Sequence, residues 1–157
     1  MLSGKLFNNM IRQSLYAKLY VTNAQLLSLF TTAITIVTGQ AGLFYIPKSV
    51  HISKEAGTAY TLNGSGAIGL YHGTVAGTAV GTVNPTGFMD QAGALTAFAN
   101  GPNALTSPFG SFTAAQITAG NGAALVIANA VANLTVGIGG IFVTVLYEQW
   151  PMVVAFN

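Results

Sequence analysis

From Gln91 to Tyr147 the chain carries no Asp, Glu, Lys or Arg. A soluble domain normally gives about a quarter of its positions to these residues, and they keep its surface wet and its neighbours apart. Here they make up 5% of 157 residues, beside 52% hydrophobic residues and 19 glycines. Such a chain fits in a bilayer, in a fibre, or in an assembly whose subunits cover one another. A spanning helix needs about 20 mainly apolar residues. Segment 26–37, LLSLFTTAITIV, is short and Thr-rich; segment 122–147 is longer, but Asn129, Asn133 and Thr135 interrupt it and four glycines weaken it as a helix. No small-x-small cleavage site marks a secretory signal. Assembly is the remaining expectation, and one domain accounts for the length.

The formal charge of +2 does not point to nucleic acid. Lys5, Arg12 and Lys18 are sparse, and no aromatic residues interleave with them as on a strand-binding platform. The absence of cysteine excludes disulfides and thiolate metal sites.

Gly64, Gly66 and Gly69 in GTAYTLNGSGAIGLYHG, residues 57–73, have the spacing of a dinucleotide fingerprint, and Asp90 follows. That fingerprint works where a strand enters the glycines and a helix leaves them, because the pyrophosphate rests on the helix N-terminus. What leaves Gly69 is LYHGTVAGTAVGTV, glycine- and threonine-rich with no helical period. Asn63 to Gly66 therefore reads as a tight turn joining strands AYTL and AIGLY.

Residues 1–30 form an arm with apolar residues at helical spacing: Leu2, Leu6 and Met10 in one row, Ile11, Leu15 and Leu19 in another. Thr22 or Asn23 caps a short helix over AQLLSLF. From Thr31 the period becomes two. TTAITIVT is a strand; GQAG turns the chain; LFYIPKSVHISK is a strand with Pro47 at an edge or bulge. Residues 73–87 read as a surface loop with room for a short strand, and FMDQAGALTAFA, residues 88–99, as a short helix. Two strand regions close the chain, AALVIANA (123–130) and LTVGIGGIFVTVLYEQW (134–150). In the second, Ile141, Val143, Val145 and Tyr147 share one face and Phe142, Thr144 and Leu146 the other. Both faces are largely apolar, which predicts cover on both sides, one side being the opposite sheet and the other a neighbouring subunit. The fold expected is all-β, a jelly-roll-like antiparallel sandwich over 31–148 with a partly helical N-terminal arm. Pairing order is not legible in one sequence.

The apolar tail QWPMVVAFN, residues 149–157, presents Trp150, Met152 and Phe156. These are types enriched where proteins meet, and the tail is expected either on a neighbour or closing its own sandwich. Subunit contacts are thus assigned to Lys5, Arg12, Lys18, Trp150, Met152 and Phe156. Catalysis has little to work with: two histidines, His51 and His72, and three acids, Glu55, Asp90 and Glu148. His51 and Glu55 are four apart, a helical spacing in a segment that reads as strand and turn, so no metal site is expected. Ser65 lacks the strand-to-helix context of a nucleophile elbow. No enzyme, cofactor or metal follows. Phe44, Tyr45, Tyr60 and Tyr71 form either a sugar-binding platform or core.

Residues 24–61 (helical lead, strand, Gly-containing turn, strand entered through proline, GTAYT), then FMDQAGALTAFA and the closing pair ending in VTVLY, resemble small structural proteins of tailed bacteriophage virions. The resemblance covers about two-thirds of the chain and is a pattern of strands and turns. It implies a jelly-roll subunit of the capsid decoration or cement type, often trimeric, placed on the shell of the major capsid protein, with no nucleic-acid or membrane partner. It would be made in the host cytoplasm and located in the virion. The basic arm, residues 1–20, would reach a capsid neighbour. Ile138, in a turn where a polar residue is expected, departs from the pattern, as does the tail beyond Tyr147. The alternatives are a tail or fibre head binding host glycans through aromatics and loop 73–87, and, behind it, a membrane protein of holin type.

Overall fold

The computed structural model describes residues 13–63, 68–74, 79–100 and 114–152. Along them run β1 (Gln13–Val21), α1 (Asn23–Leu27), β2 (Ile34–Val37), β3 (Leu43–Lys54), β4 (Ile68–His72), β5 (Ala79–Val83), β6 (Leu95–Asn100), α2 (Ala114–Gly120), β7 (Leu125–Asn129) and β8 (Ile141–Pro151). The strands make two four-stranded sheets, ordered β1-β8-β3-β6 and β2-β7-β4-β5. Every neighbouring pair is antiparallel. First pairs with last, second with seventh, third with sixth and fourth with fifth. That is a long hairpin folded over on itself, the winding of a jelly roll.

The core lies between the sheets. Val50, Ile52, Val143 and Val145 from one join Ile68, Leu70, Leu125 and Ile127 from the other, all buried. In β8 the alternation follows the sequence: Ile141, Val143, Val145 and Tyr147 are buried, while Phe142 and Leu146 are exposed. Pro47 sits where its missing N–H does least harm. The β3–β8 register slips between Pro47 and Ser49, and β6 joins β3 over Ser49–Lys54, past the proline. Thr22 caps α1 with a reciprocal box: its hydroxyl accepts from the Gln25 N–H at 3.3 Å, and its own N–H donates to Gln25 Oε1 at 2.9 Å.

Three expectations are corrected. Leu15 and Leu19 belong to strand β1, paired with β8 without a break from Gln13 to Val21. Residues four apart share a face in a strand as well as in a helix, so the i, i+4 row could not separate the two. Residues 88–99 are a turn followed by β6; Phe88 and Met89 are buried with their N–H groups on the Pro85 carbonyl, and Leu95 to Asn100 pair with β3. Pairing with a neighbouring strand overrides the helical preference of that alanine-rich run. AYTL is not a strand either: Thr61 makes one isolated bridge to Thr135, and Tyr60 turns into the core. α2 arises where no element was expected. The predicted turn at 63–66 lies outside the described residues beyond Asn63. The glycine-fingerprint question is decided nonetheless, because Gly69 lies inside β4, and β5 follows as its antiparallel partner.

Candidate functional site

The two sheets differ on their outer faces. On the β2-β7-β4-β5 sheet, Tyr71 lies across Gly69, and with Val126 and Ala128 it forms a buried second cluster. The outer face of the β1-β8-β3-β6 sheet is open along β1 and β8. The register sets Tyr20 opposite Phe142 and Tyr16 opposite Leu146. Tyr16 is 70% exposed and Phe142 52%, and the Tyr20 and Phe142 rings are 4.8 Å apart. Between these two apolar rows runs a polar one, Lys18 opposite Thr144 with His51 beyond. Lys18 Nζ lies 5.8 Å from the Tyr16 ring centre. Further along β8, Trp150 Nε1 donates to Glu148 Oε2 at 2.9 Å, and Glu148 pairs with Lys48 at 3.3 Å. At about 200 Å² per aromatic side chain, Tyr16, Tyr20, Phe142 and Trp150 leave roughly 400 Å² in water. Exposed apolar area of that order matches the largest patch of an ordinary monomer, which is often functional.

In the segment before β8, Val136 and Ile138 are also exposed, at 72% and 62%. Their alternation with glycines is built. The ring of Tyr60 lies where a Cβ on Gly137 would be, and the phenol oxygen of Tyr60 meets both the Gly139 carbonyl and, at 2.5 Å, the Asn23 side-chain amide. A phenol has one proton to give. Both partners, the Gly139 carbonyl and Asn23 Oδ1, are acceptors, so the one phenol proton is shared between them. The segment is also stitched to residues 55–61 by Thr61 N–H to Thr135 O (2.7 Å), Ile138 N–H to Thr58 O (3.2 Å) and Glu55 N–H to Gly140 O (3.0 Å). These bonds hold Val136 at φ 49°, a conformation β-branched residues avoid. A Cβ on Gly57 would fall 2.0 Å from the Ile138 carbonyl oxygen. Backbone cannot swing aside as a side chain can, so Gly57→Ala is expected to cost about 1–3 kcal/mol or more, read as a lower denaturation midpoint.

Glu55 joins this segment to the aromatic face. Its Oε2 accepts from Gly140 N–H and from Tyr20 O–H, both at 2.8 Å. The Gly140 bond, and then the Tyr20 bond, hold its carboxyl below the usual range, while partial burial opposes them. A depressed carboxylate stabilises the fold at pH values above its unfolded pKa, and that contribution is lost as pH falls through the folded value. Glu55→Gln is therefore expected to lower the melting temperature at neutral pH and to flatten the acid side of its pH profile below about pH 4. Parallel acid limbs in variant and parent would contradict this.

Of the contact residues named from sequence, Lys18 and Trp150 lie on this sheet face, about 20 Å apart along the strands by their register. Met152 follows β8, half-buried, with its N–H on the Gly42 carbonyl at 2.7 Å. Trp150 and Pro151 are part of β8 and pair with Phe44 and Leu43, so this part of the apolar tail is an inner strand of its own sheet. Lys5, Arg12 and Phe156 lie outside the described residues. Tyr16 and Tyr20 have no place among the sequence expectations, whereas Phe142 and Leu146 do, on the face of the last strand expected to meet a neighbouring subunit. The signal for the latter two was that β8 reads apolar on both faces.

The proton-transfer groups are engaged elsewhere. Asp90 Oδ1 accepts from Gly87 N–H at 2.7 Å and Gln91 Nε2 at 3.2 Å. His72 is buried with Nε2 2.8 Å from the Tyr45 carbonyl; burial lowers its pKa, partly opposed by that bond. Among the described residues no three His, Asp or Glu side chains gather to hold a metal, and no helix is long and apolar enough to cross a membrane. The sugar-platform reading is corrected. Phe44, Tyr45, Tyr60 and Tyr71 are all buried, Phe44 against His72 and Tyr45 edge-on to Tyr147.

No protein-family model matches the chain, and no curated protein matches it. Among solved structures, the cyanophage Pam1 capsid asymmetric unit is similar at 15% identity, over 87% of this chain and 83% of that one, with a TM-score of 0.38.

Proposed function

We propose that this chain is a virion structural protein, a decoration or cement subunit that stabilises a phage head through contacts with the major capsid protein and with copies of itself. The observation that supports it most is the open aromatic face of β1 and β8 on a chain with 5% charged residues. A rigid sandwich carries that face, and the stitched segment 135–140 exposes Val136 and Ile138 as well. Repeated over a closed shell, contacts of modest area add to a firm hold. The reading is non-catalytic, without cofactor, metal, nucleic acid or membrane. All three acids are bound into local structure.

The jelly-roll winding serves viral capsid and lectin domains alike, so it does not choose between a shell subunit and a glycan-binding head. Burial of Phe44, Tyr45, Tyr60 and Tyr71 favours the shell. The test is the copy number of the chain in purified particles. A shell subunit is expected at hundreds of copies, an order of magnitude that follows from closed symmetry. Tens of copies would assign it to a tail or fibre, and its absence from particles would end the reading.

A further inference from the structure

Among the described residues the two sheets end on four edge strands, and three of these are short or slip in register. β2 has four residues and a register slip against β7, β5 slips against β4, and β6 has six residues. β1 is different. It runs nine residues against β8 in unbroken register, without proline or bulge. It therefore lacks the proline, the bulge and the short length by which many exposed edges avoid pairing with another chain, and keeps one such device, a lysine. Lys18 is its one charge, and it points outward with Tyr16 and Tyr20. The side chains on the inner face tell the same story. Val21 is buried, but Leu15, Ala17 and Leu19 are only half-buried, while their counterparts on β8 are fully covered. The apolar layer stops one strand short of closure.

We infer that this edge is completed by β1 of a second copy, running antiparallel about a two-fold axis through Ala17. That register sets Leu15 against the partner's Leu19 and Ala17 against the partner's Ala17, so each copy continues the other's inner layer. On the outer face, Lys18 falls opposite the partner's Tyr16 and not opposite another lysine. The same cation–aromatic contact already exists within one chain. A strand of any other sequence would need the same period-two apolar alternation and an uncharged residue opposite Lys18; β1 itself has both. The contact is isologous and closes at two copies, giving one eight-stranded sheet and a dimer in place of the trimer the resemblance implies. The inference does not depend on the virion reading, because it concerns the isolated chain.

The chain has no cysteine, which makes the test direct. Opposed residues of an antiparallel pair have Cα atoms about 4.5–5.5 Å apart, within disulfide reach. Ala17→Cys, oxidised at micromolar concentration, is expected to give a covalent dimer, and the parent chain a dimer in sedimentation velocity. Tyr16 is exposed, so Tyr16→Lys is expected to fold normally while placing a lysine against the partner's Lys18 twice per dimer. It should dissociate about tenfold more readily. Adding Lys18→Glu to the same chain should restore the dimer. The inference is overturned if the parent sediments as a monomer with Ala17→Cys uncrosslinked, or if a dimer persists unchanged in Tyr16→Lys. A monomer whose β1 amides resist hydrogen exchange would assign the edge to residues 1–12, and that also overturns it.

Discussion

Replacing Tyr60 with alanine is expected to destabilise the fold by about 3–5 kcal/mol, the usual range for removing a buried aromatic ring. Such a loss is a large part of the 5–15 kcal/mol that holds a typical domain together. Three segments meet at this side chain: the start of α1 at Asn23, the 55–61 loop that bears it, and the glycine segment before β8. Tyr60→Phe keeps the ring and removes the hydroxyl, leaving the Gly139 carbonyl and the Asn23 amide without that partner. Its cost should be smaller, about 1–3 kcal/mol. Burial, with lesser contributions from Tyr20 and Glu55, pushes the Tyr60 phenol up to about 12. Unfolded tyrosines ionise near pH 10, so between pH 10 and 12 the unfolded chain releases a proton that the folded one keeps. Stability from this group is complete below pH 10 and declines as pH rises through that window. Tyr45, Tyr71 and Tyr147, also raised by burial, act in the same direction. Tyr60→Phe should flatten the alkaline limb of a melting-temperature profile; an unchanged limb would show that the phenol is not held as described.

The second large effect concerns assembly and leaves the fold alone. Phe142→Ser with Leu146→Ser removes the two apolar side chains of β8 from the middle of the open face, opposite Tyr20 and Tyr16. Exposed positions away from caps and cores change stability by about 0.5 kcal/mol or less each. The double variant should therefore melt close to the parent. The few hot-spot side chains at the centre of an interface cost about 2 kcal/mol or more apiece when truncated, and these two are expected to be of that kind. Two of them should weaken retention on particles by roughly a thousandfold. A variant that melts normally and is retained normally would remove this face from the contact.

How much of this was legible depended on whether neighbouring residues or distant ones decide each element. β3, β7 and β8 declared themselves because alternation with a buried face is a local pattern, and Pro47 marked its own bulge. Thr22 and Gln25 made a cap within four residues. β1 and β6 were read as helix because Leu15 with Leu19, and the alanines of LTAFAN, suit either period until a partner strand supplies the ladder. Tyr60 was placed on a strand, although a glycine segment some eighty residues away decides where its ring goes. The open face was half legible. Phe142 and Leu146 showed that β8 is apolar on both sides, but the matching Tyr16 and Tyr20 lie on a strand that pairs with it from the other end of the chain. Long-range register of this kind has no local signature.

The account turns on one claim, that the outer face of β1 and β8 is covered by another subunit in the assembled particle. Covalent labelling of Tyr16, Phe142 and Trp150, compared by mass spectrometry between the free chain and intact particles, addresses it directly. The three side chains should label readily in the free chain and fall to background in the particle, while Val131, exposed elsewhere, labels equally in both. Equal labelling of the aromatic face in the two states would contradict the account.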